Sequence, residues 1–370
     1  MSADTLADAD DTADADDTAD ADDTADADDD GVDEDGVAVP PAFREYGEQE
    51  LRQAPAFGHG KDGVADLVVA REGDNPTRLL SDFVTVPYHL TGTLDTDPAP
   101  GLTTICLQDP TAVVTQGDRR RLSVEARAGS RTHVTTQSAT KVQSMNASYA
   151  HLDATLVAES GAHLEYLPGP TIVNEDARCL QTTMVSMASD ATVVVGDVFV
   201  SDGLSDHEPF GFDHYHSRLE ARIDGSLVCA DAVDLRPDER DPRGPATVGE
   251  YGVVGTLYVF APNAADVGAL ADRLHDRVAR GGGGGVAESG ESAESAKNSR
   301  EIADCRDTTE CAEAGREVTA GASVLRDGGG VAVRVLGDRS ADVTAAVEAA
   351  WDEAREALLG VGAPLEGRGR

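Results

Sequence analysis

From about Phe43 onward, apolar residues fall in short runs of four to eight with two-residue alternation, and this pattern constrains the fold more than any other feature. Leu122-Val124-Ala126, Val193-Val195 and Leu227-Cys229 are examples. A period of two places successive side chains on opposite faces of a strand, so each run buries one face. Gly, Asp and Pro punctuate the runs at a spacing of roughly ten residues, as at Pro87, Pro110, Gly129, Gly161, Pro168, Gly196, Gly203 and Gly225. The fold class read from this is mainly β, with more than a dozen short strands. A sandwich, a barrel and a β-solenoid all fit, and periodicity does not choose among them.

Two helices interrupt the pattern near the C-terminus. Asn263 is positioned to cap the first, whose Val267, Leu270, Leu274 and Val278 share a face before the glycines at 281–285 end it. The second begins near Ser340, carries Val343, Val347, Ala350, Trp351, Ala354 and Leu358 as an apolar stripe, and closes at Gly360. Between them, residues 281–317 are rich in Gly, Ser and Glu, with Val286 and Ile302 the only large aliphatics, which reads as a disordered insertion. Val331 to Leu336 then resumes the β domain. Residues 1–40 read as a disordered acidic tail, because the repeat beginning at Thr12, Thr18 and Thr24 contains nothing large enough to bury. The folded domain is expected over 41–360.

Acidic residues outnumber basic ones 69 to 30, and lysine occurs only at positions 61, 141 and 297. Removing the 17 carboxylates of residues 1–35 from the net −39 still leaves −22. Such a surface repels nucleic acid and anionic lipid, and it suits a salt-filled cytoplasm where screening weakens self-repulsion. Cys106, Cys179, Cys229, Cys305 and Cys311 form no CxxC pair, and their odd number argues against a disulfide framework, so they read as buried thiols. The N-terminus lacks the basic and apolar regions of a signal peptide, and a cytoplasmic location is expected.

Several short segments can carry chemistry. Gly117-Asp118, between two strands, reads as a hairpin turn. If Thr136 to Lys141 is extended, Gln137, Ala139 and Lys141 share one face, with the Lys141 stem lying on the sheet or its amine serving a site. In Leu164-Glu165-Tyr166-Leu167-Pro168, Leu164 and Tyr166 face one way, while Glu165 is either a solvated edge charge or a cavity lining. Asp206-His207-Glu208 and Asp213-His214-Tyr215-His216 cluster imidazoles and carboxylates, and on a strand His214 and His216 project together as two possible metal ligands. No P-loop, Rossmann fingerprint, nucleophile elbow or His-Glu-x-x-His occurs, which favours a non-enzyme.

Gly117-Asp118, the run Thr136-Gln137-Ser138-Ala139-Thr140-Lys141 and Leu164-Glu165-Tyr166-Leu167-Pro168, in this order, resemble the UreD/UreH urease accessory proteins. Arg334-Val335-Leu336-Gly337 and the Trp351 helix echo the family's C-terminal segment, and the likeness runs from about Arg44 to Gly360. The chain departs from the family near Glu208 and in the Gly-Pro that follows Pro168. The resemblance implies a mostly β, helical-type fold with two helices near the C-terminus. It also implies a non-catalytic chaperone that binds apo-urease, UreF and UreG, with nickel passing transiently through the protein and no tightly bound cofactor. A conduit needs oxygen ligands weak enough to release the ion, which makes Asp118, Glu165 and Glu208 the candidates. The competing expectation is a β-solenoid polysaccharide-active enzyme or lectin-like binder, since paired carboxylates on such a fold leave no sequence motif.

Overall fold

The computed structural model describes residues 39–49, 60–201, 208–244, 247–281 and 318–364. Residues 1–41 and 42–370 separate into two units, and only the second is described at length. The acidic repeat and all but Gly281 of the expected insertion, with Cys305 and Cys311, lie outside the described residues, as do Asp206 and His207.

Two sheets wind around a common interior. Sheet one contains β1 (Asp62–Ala70), β2 (Arg78–Val84), β6 (Arg119–Ala126), β9 (Ala150–Ala158), β12 (Arg178–Met187), β14 (His214–Ile223) and β15 (Ser226–Leu235). Sheet two contains β3 (His89–Leu94), β4 (Thr103–Gln108), β7 (Arg131–Thr136), β10 (His163–Leu167), β13 (Thr192–Ser201), β16 (Val253–Phe260), β17 (Val318–Val324) and β18 (Gly330–Gly337). A row of short strands, β5 (Val113–Val114), β8 (Thr140–Val142) and β11 (Thr171–Val173), extends sheet two through the pairing of β11 with β13.

The ladders β1-β6-β9-β12-β14 and β4-β7-β10-β13 are parallel throughout, which makes the fold a β-solenoid of about four turns. Thr103, Thr132, Leu164 and Val193 lie on successive rungs, at steps of 29, 32 and 29 residues. With up to three strands per coil, that step accounts for the punctuation at about ten-residue intervals read from the sequence. Antiparallel pairs finish both ends: β2 on β1 and β3 on β4 at one, β15 on β14 and β16, β18 and β17 beyond β13 at the other.

Residues of both sheets meet inside the coil, where Leu67, Leu122, Leu156, Leu164, Val193 and Phe260 form an apolar core. Each such side chain contributes about 1.5–3 kcal/mol relative to exposure. Helices α2 (Val267–Gly281) and α3 (Ser340–Leu359) cover the outer face of sheet two, where Leu274, Val278, Val343, Val347 and Trp351 pack on Val194, Val259 and Val333. β16 is therefore buried at every position, with coil interior on one face and helix on the other.

Three local expectations are corrected. The first late helix starts at Val267, and Asp266 Oδ1 accepts from the Ala269 amide at 2.9 Å, whereas Asn263 donates to the Asp190 carbonyl. Gly117-Asp118 is a corner between consecutive sides of one coil, with Gly117 at φ +78, because β5 and β6 belong to different sheets and do not pair as a hairpin. Thr136 to Lys141 is not one strand: β7 ends at Thr136, the chain bends at Gln137 and Ser138, and β8 starts at Thr140. A short helix, α1 (Pro41–Gly47), also stands where a strand pattern was expected to begin.

Candidate functional site

The motif residues shape the corners. Thr136 Oγ1 accepts from the Gly169 amide at 2.8 Å and donates to the Ser138 carbonyl at 3.1 Å. Thr135 Oγ1 donates to the Leu167 carbonyl, and the Thr140 amide to that of Pro170. The two corners stack so tightly that a Cβ on Gly169 would lie 2.6 Å from the Ser138 carbonyl oxygen, which explains a glycine after Pro168. Lys141 is exposed.

Asp118 is buried at the corner before β6. Its Oδ1 accepts from the Lys61 amide at 2.7 Å, and its Oδ2 from the Thr115 amide at 3.0 Å, with the Arg120 guanidinium 3.4 Å away. Arg120 also faces Asp109 at 3.6 Å.

Glu165 projects from the opposite face of β10 to Leu164 and Tyr166, into the contact with α3, and is fully buried. The solvated edge charge expected as one reading is thereby overturned. His163 Nε2 lies 2.8 Å from Oε1, while Arg355 Nη1 and His133 Nδ1 each stand 3.4 Å from Oε2. Arg355 in turn binds both carboxylate oxygens of Asp97, and Trp351 stacks on His133 with centroids 4.8 Å apart. Burial pushes the Glu165 carboxyl up, but hydrogen bonding and charge from the two histidines outweigh it and hold it far below its ordinary 4.5. Glu208 is exposed. Asp118, Glu165 and Glu208 thus occupy three separate places: a corner, the α3 contact and the surface.

The coil interior carries a polar seam. Two adjoining cavities of about 70 and 50 Å³ share Tyr166, Pro168, Gln181 and Thr183. Arg120 and Asp109 line the first; Asp197, Asp231, Tyr215, Tyr258 and Arg334 line the second. Asp197, Thr256 and Arg334 are register partners across β13, β16 and β18, so this row follows the solenoid axis. Gln181 and Ser217 are partners across β12 and β14 on the facing sheet. Asp231 binds both the Tyr258 hydroxyl and the Arg334 guanidinium. Burial pushes the Asp197 carboxyl up against the pull of Gln181 and Arg334, and its Oδ1 has no hydrogen-bond partner among the described residues. Sequence reasoning missed Asp109, Asp197 and Asp231, because single carboxylates on different coils have no local signature.

On the outer face of sheet one, His214 and His216 do project together, and Asp234 of β15 joins them. His214 Nε2 lies 2.7 Å from Asp234 Oδ1, and His216 Nδ1 lies 3.9 Å from the same oxygen. Burial pushes both imidazoles below the ordinary 6.5 despite the Asp234 carboxylate. Phe43 of α1 packs on His214 at 4.3 Å between ring centroids. Asp213 pairs instead with Arg178 at 2.8 Å.

No helix among the described residues is long and apolar enough to cross a membrane. The model of the UreD urease accessory protein family matches residues 61–367. A urease accessory protein UreD of Haloquadratum walsbyi is 60% identical over 330 residues, covering 89% of this chain and 97% of that relative. One from Natronomonas pharaonis is 60% identical over 331 residues, covering 90% and 99%. A more distant UreD of Photorhabdus laumondii is 29% identical over 335 residues, 89% of this chain and 92% of that protein. A match over most of the folded chain, with a four-turn solenoid whose corners are built from the motif residues, makes this protein a member of the UreD urease accessory protein family.

Proposed function

We propose that the protein is a non-catalytic scaffold of urease maturation, holding apo-urease together with UreF and UreG and passing nickel along its interior seam. Membership of the family carries the role in urease maturation. The observation that supports passage is the axial polar row inside an otherwise apolar coil, with Asp109 toward one end and Asp197 and Asp231 toward the other. Buried polar groups are costly unless they serve a purpose or are satisfied, and one Asp197 oxygen has no partner among the described residues. Separated carboxylates bind a divalent ion through few ligands at a time, which lets it leave as readily as it enters. Asp118 backs the seam through Arg120, while Glu165 fixes the helix that roofs sheet two.

Deleting the gene should leave urease subunits assembled but poor in nickel. Asp197→Asn keeps the shape and removes the charge, so it should lower the nickel content of co-expressed urease while co-purification with UreF, UreG and urease is retained. Full nickel loading with Asp197→Asn would end the seam reading, and full urease activity after deletion would end the scaffold reading.

A further inference from the structure

We propose that His214, His216 and Asp234 form a binding site for one borderline divalent transition ion, of the nickel and zinc class, on the outer face of sheet one. The donor set is two imidazoles and one carboxylate, the combination such ions favour. The three ligand atoms already lie within 4.8 Å of one another, with no rearrangement of the backbone. Tetrahedral coordination at about 2.0–2.2 Å needs ligand atoms roughly 3.3–3.6 Å apart, so side-chain adjustment must lengthen the 2.7 Å separation and shorten the 3.9 Å one. Three protein ligands leave a position for water, the arrangement of an ion that can be exchanged.

Two further observations point to a cation. His216 faces Asp234 with a buried Nδ1 that has no hydrogen-bond partner among the described residues, while His214 faces it with Nε2. The place of the ion is meanwhile taken by a positive group: Arg236 Nε stands 3.3 Å from both His214 Nε2 and Asp234 Oδ1. Its Nε–H donates to both atoms, so an ion must displace this hydrogen-bonded positive group to reach their lone pairs. Its side chain is about a third exposed and already reaches Glu239 at 3.4 Å, which gives it a place to swing when an ion arrives. His214 lies beneath Phe43 and Tyr46, so an ion bound here ties α1's platform to the β14–β15 hairpin. The site lies on the outside of the coil and does not depend on the seam.

The test is a titration of the full-length protein, stripped of metal in high potassium chloride, with cobalt(II) as the spectroscopic probe and zinc(II) as competitor. One equivalent of cobalt should produce the intense visible absorption of a low-coordinate, histidine-ligated ion, and one equivalent of zinc should abolish it. Carboxylate-only binding by the acidic tail gives weak octahedral bands and cannot mimic this. His216→Gln and Asp234→Asn should each weaken binding about tenfold or more, with far-UV circular dichroism unchanged. Arg236→Gln removes the competing charge and should tighten it. The proposal is overturned if the intense absorption does not form, if it survives His216→Gln unchanged, or if Arg236→Gln leaves the affinity untouched. In any of these cases the cluster is an ion-pair network beneath α1 only.

Discussion

Glu165 shows how one residue's surroundings decide between two readings of its sequence. In an alternating strand a glutamate opposite Leu164 and Tyr166 is either a solvated edge charge or a cavity lining, and the first is excluded because α3 brings Arg355 and Trp351 over it and β7 supplies His133. Removing one partner of a buried ion pair leaves the others uncompensated, so Glu165→Gln should destabilise by about 3 kcal/mol or more. Its folded pKa lies below the ordinary 4.5, so the unfolded chain binds the proton more readily. The carboxylate's contribution is therefore complete above about 4.5 and is lost as pH falls below it. Thermal melts from pH 7 to pH 3 at fixed potassium chloride should show a steeper acid loss for the native chain than for Glu165→Gln. Parallel curves for the two proteins would remove Glu165 as the source.

At the scale of elements, α3 lies tightly against sheet two at Gly255 of β16. A Cβ there would stand 2.7 Å from both Val343 Cγ1 and Val347 Cγ2 of α3. Neither β-branched side chain has an alternative rotamer at low cost in a helix, so α3 must lift. Gly255→Ala should cost about 1–3 kcal/mol in a urea unfolding curve. Because Arg355 rides on the same helix, the variant should also loosen the Asp97–Arg355–Glu165 network, and hydrogen exchange should rise in α3 before the parallel ladders. The stripe of α3 and its Gly360 stop were legible from spacing alone, and the observed αL conformation of Gly360 at φ +72 agrees. The strand interruption inside Thr136 to Lys141 was not, since corner stacking between Ser138 and Gly169 links residues one coil apart.

Over the whole molecule, charge is the dominant feature. A chain that carries −22 even with residues 1–35 set aside must be screened before its compact state is favoured. Its melting temperature should rise steeply between low and molar potassium chloride, and full stability in dilute buffer would discard the salt-adapted reading. The seam runs along the same axis that relates the coils. Removing Asp231 together with its Arg334 partner, as Asp231→Asn with Arg334→Gln, should therefore alter nickel loading of urease more than it alters the melt.

What the sequence determined by itself was local and periodic: the alternation that makes strands, the ten-residue punctuation, the two late helices, and a motif order that fixed the family. These depend on neighbours a few residues apart, where spacing translates directly into facing. What only the tertiary structure decided was which distant residues share a space. His216 and Asp234 illustrate the limit. Counting back from the Asp224-Gly225 turn pairs Ile223 with Ser226 and would set Val233 opposite His216. A register shift between Ala221 and Arg222 moves the pairing by one residue, brings Asp234 opposite His216, and returns Cys229 and Leu235 to the core. A bulge of this kind leaves no mark in a period of two except to reverse it, and whether it forms depends on the packing that the reversal rescues. The seam has the same character, because the cavity lined by Asp109 adjoins the one lined by Asp197 and Asp231 only when the coils have stacked.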